Sequence, residues 1–96
     1  MNAEDVLTTL RELKPLLADR YKVRGISLFG SFVRGEQGTS SDIDLLAEFE
    51  DNADLFDLIG LALYLEEIFQ RSVDVIPKQS LRSELRESVL QQTVAV

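Results

Sequence analysis

The chain has 96 residues, 45% of them hydrophobic, enough for one compact core and too few for two, so residues 1–96 are expected to form a single domain. A formal net charge of -7 opposes phosphate backbones before contact, and no direct nucleic-acid binding is expected. With neither cysteine nor histidine, the chain has no disulfides, thiolate nucleophiles, zinc–thiolate sites or imidazole base, which leaves carboxylates, hydroxyls, Lys, Arg and backbone amides.

The opening "MNAEDVLTTL" is acidic where a secretory signal is basic, and no apolar run approaches the ~20 residues of a membrane span. A soluble cytoplasmic protein is expected. "AEDVLTTLRELKPLLADRY" sets Val6, Leu7, Leu10, Leu13 and Leu17 at helical spacing behind Asn2, a candidate N-cap. Pro15 either kinks this helix or starts a second one. "VRGISLFG" reads as a short buried strand through Ile26, Leu28 and Phe29, and "GEQGTSS" as a loop. "DIDLLAEF" reads as a strand with one face buried and Asp42 and Asp44 on the other, because a spacing of two puts side chains on the same side.

"DNADLFDLIGLALYLEEIF" is apolar around most of its circumference, with Asp54 and Asp57 suited to its N-terminus, and is expected to be the central, most buried helix. "SVDVIP" is a third short strand ending at Pro77. "SLRSELRESVLQQ" repeats Leu81, Leu85 and Val89 as a last helix. The closing "TVAV" is either part of an interface or a frayed end. Strands alternating with helices predict an α/β or α+β layer, a small mixed sheet of three or more strands with helices over one face. The other face is left for function.

A glycine and a serine at the end of a buried strand, just before a helical turn, offer Gly30 and Ser31 to an anion such as phosphate. Asp42 and Asp44 at about 4 Å would repel by roughly 4 kcal/mol at an effective dielectric of 20, a cost that a bound cation reverses. Mg²⁺ takes oxygen ligands and is commonly shared between carboxylates and substrate phosphates. Asp74, in a strand interior, is a third carboxylate. If its strand lies beside that of Asp44, the three converge on one face.

These residues carry a resemblance. Gly30-Ser31, then Asp42-Ile43-Asp44, then Asp74 resemble the nucleotidyltransferase superfamily typified by polymerase β. More closely, "LFGSFVRGEQGTSSDIDLLAEF" is similar to the minimal nucleotidyltransferases (MNT), the MntA-like antitoxins found beside HEPN-domain toxins, and the similarity spans nearly the whole chain. The resemblance implies a polymerase β-like core and a Mg²⁺-dependent enzyme that uses ATP. Asp42 and Asp44 would hold two Mg²⁺ ions with the triphosphate; Asp74 would bind the metal nearer the acceptor and help to deprotonate it. Gly30 and Ser31 would hold the β- and γ-phosphates. The acceptor implied is a tyrosine of the partner HEPN toxin, which becomes AMPylated and inactive.

Each residue also has a plainer reading. Gly30 and Ser31 could form only a capped turn, Asp42 could be a loop acid, and Asp74 could protect an edge strand from pairing. Arg34 could touch a phosphate or could buttress the loop by pairing with Asp44, and Ser41 could orient Asp42 or belong to the turn. Tyr21 and Tyr64 read as packing residues. The residues after Asp74 are too few for an acceptor-binding domain, so a partner protein, drawn by the negative charge, is expected to present the hydroxyl. The alternative is an antitoxin that neutralises its partner by binding alone.

Overall fold

Asn2 opens the first helix by a reciprocal cap: its side-chain oxygen accepts from the Asp5 N–H at 3.0 Å, and its own N–H donates to the Asp5 carboxylate at 2.9 Å. In the computed structural model, which describes residues 1–35, 42–81 and 83–96, this helix, α1, runs without a break over Ala3–Tyr21. Pro15 lies inside it. The ring removes an N–H that would have bonded to the Arg11 carbonyl, but both residues face solvent, where water can take the orphan acceptor.

Strand β1 (Val23–Phe29) leads into a single turn of helix, α2 (Ser31–Arg34), and strand β2 covers Ile43–Phe49. The expected "GEQGTSS" loop and the role weighed for Ser41 fall largely on residues 36–41, outside the described residues. Helix α3 (Leu55–Phe69), strand β3 (Val73–Pro77), a 3-10 turn (Lys78–Ser80), helix α4 (Ser83–Gln91) and strand β4 (Val94–Ala95) complete the order. Leu81 therefore precedes the last helix. The "TVAV" tail is neither frayed nor free, since Val94 and Ala95 pair with Leu28 and Ser27, and the Val96 N–H donates to the Ile26 carbonyl at 3.0 Å.

The sheet has the order β3-β2-β1-β4. β1 is antiparallel to both β2 and β4, whereas β2 and β3 are parallel, joined by the crossover through α3. Ile43, Leu45, Ala47 and Phe49 of β2 point to one side and form a single core with Ile26 and Leu28, with Val6, Leu7, Leu10 and Leu17 of α1, and with Leu61, Leu65 and Phe69 of α3. This is the α+β layer with helices over one face of a mixed sheet. α1 and α3 meet closely because position 60 is glycine: a Cβ there would stand 2.9 Å from the Tyr21 ring. Tyr21 packs against Tyr64 with centroids 5.8 Å apart, and the Arg20 guanidinium lies over both rings, so the two tyrosines serve packing.

α3 departs from expectation. Its inner stripe, Leu61, Leu65 and Phe69, is buried, but Phe56 is 84% exposed, Leu55 65%, Leu63 60% and Ile59 45%. A helix lying on one face of a four-stranded sheet can bury only the stripe that meets the sheet and α1. The excess apolar residues that suggested a central helix face outward instead.

Candidate active site

The site is built where β1 ends and β2 and β3 begin. Ile43 is fixed by its N–H, which donates to the Ser72 carbonyl at 3.0 Å, and this sets the register of the parallel pair. Asp44 then stands directly opposite Asp74, with Ile43 opposite Val73 and Leu45 opposite Val75. Opposite residues of neighbouring strands lie about 5 Å apart and project to the same face, so the two aspartates are side by side on the face turned away from the core. Asp42, exposed on the residue before β2, is near enough for its charge to act on Asp44.

On the other flank, Phe29 of β1 pairs with Asp44, and the chain turns sharply at Gly30, whose φ is 81°. The Gly30 carbonyl accepts from the N–H groups of Val33 and Arg34 at 3.1 and 3.2 Å, which closes the turn of α2. Phe32 plugs that turn into the core beneath the Arg71 guanidinium, 5.4 Å from the ring centroid. Glycine is required at position 30 on two counts. The left-handed backbone disfavours a side chain, and a Cβ would run into the Asp44 carboxylate, 3.0 Å from its Cγ. Gly30 and Asp44, fourteen positions apart in the sequence, are thus in contact through the space that a side chain would fill.

The electrostatics follow from this crowding. Partial burial pushes the Asp44 carboxyl above its ordinary range, and the neighbouring charges of Asp74 and then Asp42 push it further, while the Arg34 guanidinium pulls the other way. Arg34 is therefore close enough to favour the charged form of Asp44. Among the described residues no three carboxylates are grouped tightly enough to enclose a metal ion by themselves. Asp44 and Asp74 form a pair, and Asp42 acts on it through its charge. Such a donor set, two strand carboxylates and a third acid with excess negative charge, fits a hard divalent cation that completes its shell with water and phosphate oxygens. The hydroxyl of Ser31 lies outside what the structure describes.

Two supporting residues had no motif to mark them. The Glu66 carboxylate accepts from the Val73 N–H at 3.0 Å and so ties the end of α3 to the start of the strand that carries Asp74. Its signal was an acid in the last turn of an apolar helix, where the helix dipole disfavours negative charge and some other partner must hold it. Arg71, stacked over Phe32, steadies the same junction.

A small mixed sheet that brings a strand-end glycine turn against paired aspartates defines the nucleotidyltransferase architecture, and the Nucleotidyltransferase domain family matches residues 10–96. The chain belongs to that family. It is 38% identical over 96 residues to Protein adenylyltransferase MntA of Thermococcus cleftensis, covering 100% of this chain and 97% of that protein. A solved structure described as a minimal nucleotidyltransferase superposes with a TM-score of 0.84 at 35% identity, covering 100% of this chain and 97% of that one. A structure of the tri-AMPylated Shewanella oneidensis HEPN toxin in complex with its MNT antitoxin matches with a TM-score of 0.64 at 27% identity, over 88% of this chain and 66% of the matched one.

Proposed function

We propose that this chain is a protein adenylyltransferase of the antitoxin type, which transfers AMP from ATP to a tyrosine hydroxyl of a partner HEPN-domain toxin and so neutralises it. The observation that carries the reading is the placement of Asp44, which stands opposite Asp74 on the parallel strand and lies against the Gly30 turn. Kinship to a protein adenylyltransferase along nearly the whole of both chains, and to an antitoxin solved with an AMPylated HEPN toxin, supports the choice of AMP and of partner.

In this mechanism Gly30 and Ser31 cradle the β- and γ-phosphates, with the open glycine backbone allowing close approach. Asp42, Asp44 and Asp74 would hold two Mg²⁺ ions, which when bound offset the charge of the triphosphate and of the attacking and leaving oxygens. The acceptor oxygen attacks the α-phosphorus in line, the bond to the bridging oxygen of pyrophosphate breaks, and pyrophosphate departs. The hydroxyl proton passes to Asp74. This carboxylate is exposed and stands directly opposite Asp44 on the face turned away from the core. Arg34 steadies Asp44 and faces the same phosphates.

The test incubates the protein, a HEPN-domain protein from the same organism and Mg²⁺ with ATP labelled at the α- or the γ-phosphate. Label should pass to the partner from the α position alone. Transfer only from the γ position would identify a kinase and end this reading. A second reading, neutralisation by binding without chemistry, is favoured by the exposed apolar face of α3. It requires that D42N/D44N protect cells from the partner as well as the unaltered protein does.

A further inference from the structure

The outward face of α3 shows Leu55, Phe56, Ile59 and Leu63, each at least 45% exposed. Their spacing places Phe56, Ile59 and Leu63 on one stripe of the helix. Together they amount to an apolar patch on the order of 500 Å², at the size where surface patches mark binding sites. At its lower end the patch continues into a groove of about 260 Å³ whose walls include Phe49, Leu55, Leu58 and Pro77.

The rim of this patch is mainly acidic. Asp51 and Asp54 border its beginning and Glu67 its end, all exposed, with the Lys22 cation held between the Asn52 carbonyl and Asp57. A second copy of the chain fits poorly. Two α3 helices packed antiparallel about Ile59 would match Phe56 with Leu63, but would bring the acidic rims together between molecules that each carry a formal charge of -7, and Lys22, already paired with Asp57, offsets only part of that. A partner whose apolar surface is ringed by Lys and Arg meets no such repulsion and gains from the field.

The stripe lies on the helix layer, and Asp44 and Asp74 lie on the opposite face of the sheet. Two features shorten the path between them. β3, which carries Asp74, is the outer strand on the side covered by α3, and the molecule is only 18 Å across in its shortest dimension. About six extended residues, at ~3.3 Å each, span that distance.

We propose that the outward face of α3, centred on Phe56, Ile59 and Leu63, is the docking surface for the acceptor protein, a partner with an apolar patch bordered by basic residues. The partner seats there and sends an extended segment around the β3 edge to bring its hydroxyl to Asp74. The inference rests on the reading of the chain as an enzyme that modifies a HEPN-domain partner. Docking and chemistry are thereby divided between the two faces of one thin layer.

The experiment compares the unaltered protein with F56S/L63S, whose side chains are exposed, so thermal unfolding should be unchanged. Affinity for the HEPN-domain protein used in the transfer assay should fall by roughly tenfold or more, while ATP affinity, measured in the same preparations, stays constant. Salt should weaken the complex of the unaltered protein. Unchanged partner affinity in the variant overturns the proposal, as does the absence of any complex with the unaltered protein. So does a dimer of the chain alone, seen by sedimentation and abolished in F56S/L63S, because the patch would then belong to a second copy. Transfer of α-label by the unaltered protein decides the catalytic reading separately: a complex that needs Phe56 and Leu63 but passes no label sinks the chemistry and keeps the surface.

Discussion

At the scale of single residues, Asp44 is a group whose charge the fold disfavours. Its carboxyl titrates above the ordinary range because it is partly buried and faces Asp74 and Asp42. Ionisation therefore begins in the unfolded chain first, and as pH rises from the usual carboxylate value of about 4 to the higher folded one, the native state loses stability. D44N removes that penalty. It is expected to raise the melting temperature at neutral pH and, on the proposed mechanism, to lower AMP transfer by about 100-fold or more, because Asp44 would there hold the triphosphate's counter-ions. Calorimetry at pH 7 paired with the label assay checks both directions; a fall in melting temperature would mean that the carboxylate is structurally supportive. The pairing of Asp44 with Asp74 could be stated as a condition from the sequence, since both interrupt apolar strands. The contact of Asp44 with Gly30 could not, because it depends on the antiparallel register of β1 and β2.

At the scale of elements, α3 shows what patterning conveys and what it leaves out. Both of its acids were legible as N-terminal signals, and the structure closes them into a reciprocal cap between Asp54 and Asp57. The Asp54 N–H bond to its carboxylate, followed by Lys22 at 3.3 Å, holds Asp57 below its ordinary range. Stability from this group is complete above the unfolded value near 4 and is lost as pH falls through the lower folded value. D57N should therefore lower the melting temperature at pH 7 and flatten its decline below about pH 4, a comparison that a pH series of thermal melts makes directly. Burial was not legible: composition counts apolar residues, whereas the sheet and α1 decide how many of them have something to meet. At the far end of α3, Glu66 holds the first N–H of β3. E66A leaves that part-buried donor unpaired, at a cost of about 1–2 kcal/mol, and should reduce turnover more than ATP affinity because it loosens the strand of Asp74. Urea unfolding and a separate ATP titration resolve the two effects.

At the scale of the whole molecule, the alternation of strands and helices was enough to state an α+β layer, but not the order of its strands. Two residues, Val94 and Ala95, too short and too exposed to signal a strand, cap one edge of the sheet by pairing with β1. The pairing draws in Lys14, whose Nζ donates to the Val96 carbonyl at 3.2 Å across a sequence separation of 82. Deleting residues 94–96 should lower the melting temperature by several degrees and expose the β1 edge, so that light scattering on heating begins earlier. Unaltered scattering would show that the edge is protected by other means.

The parallel register of β2 and β3 places half of the aspartate pair on the outermost strand of the sheet. A site built at a border, with Leu46 buried beside it on the same face of β2, is open beyond β3, the outermost strand. On the proposed division of docking and chemistry, an engineer could redirect this domain to a new target by rewriting the skin of α3 and the β3 edge, leaving Gly30, Asp42, Asp44 and Asp74 and the hydrophobic core beneath them untouched. The catalytic unit and its address would then be inherited, and altered, separately.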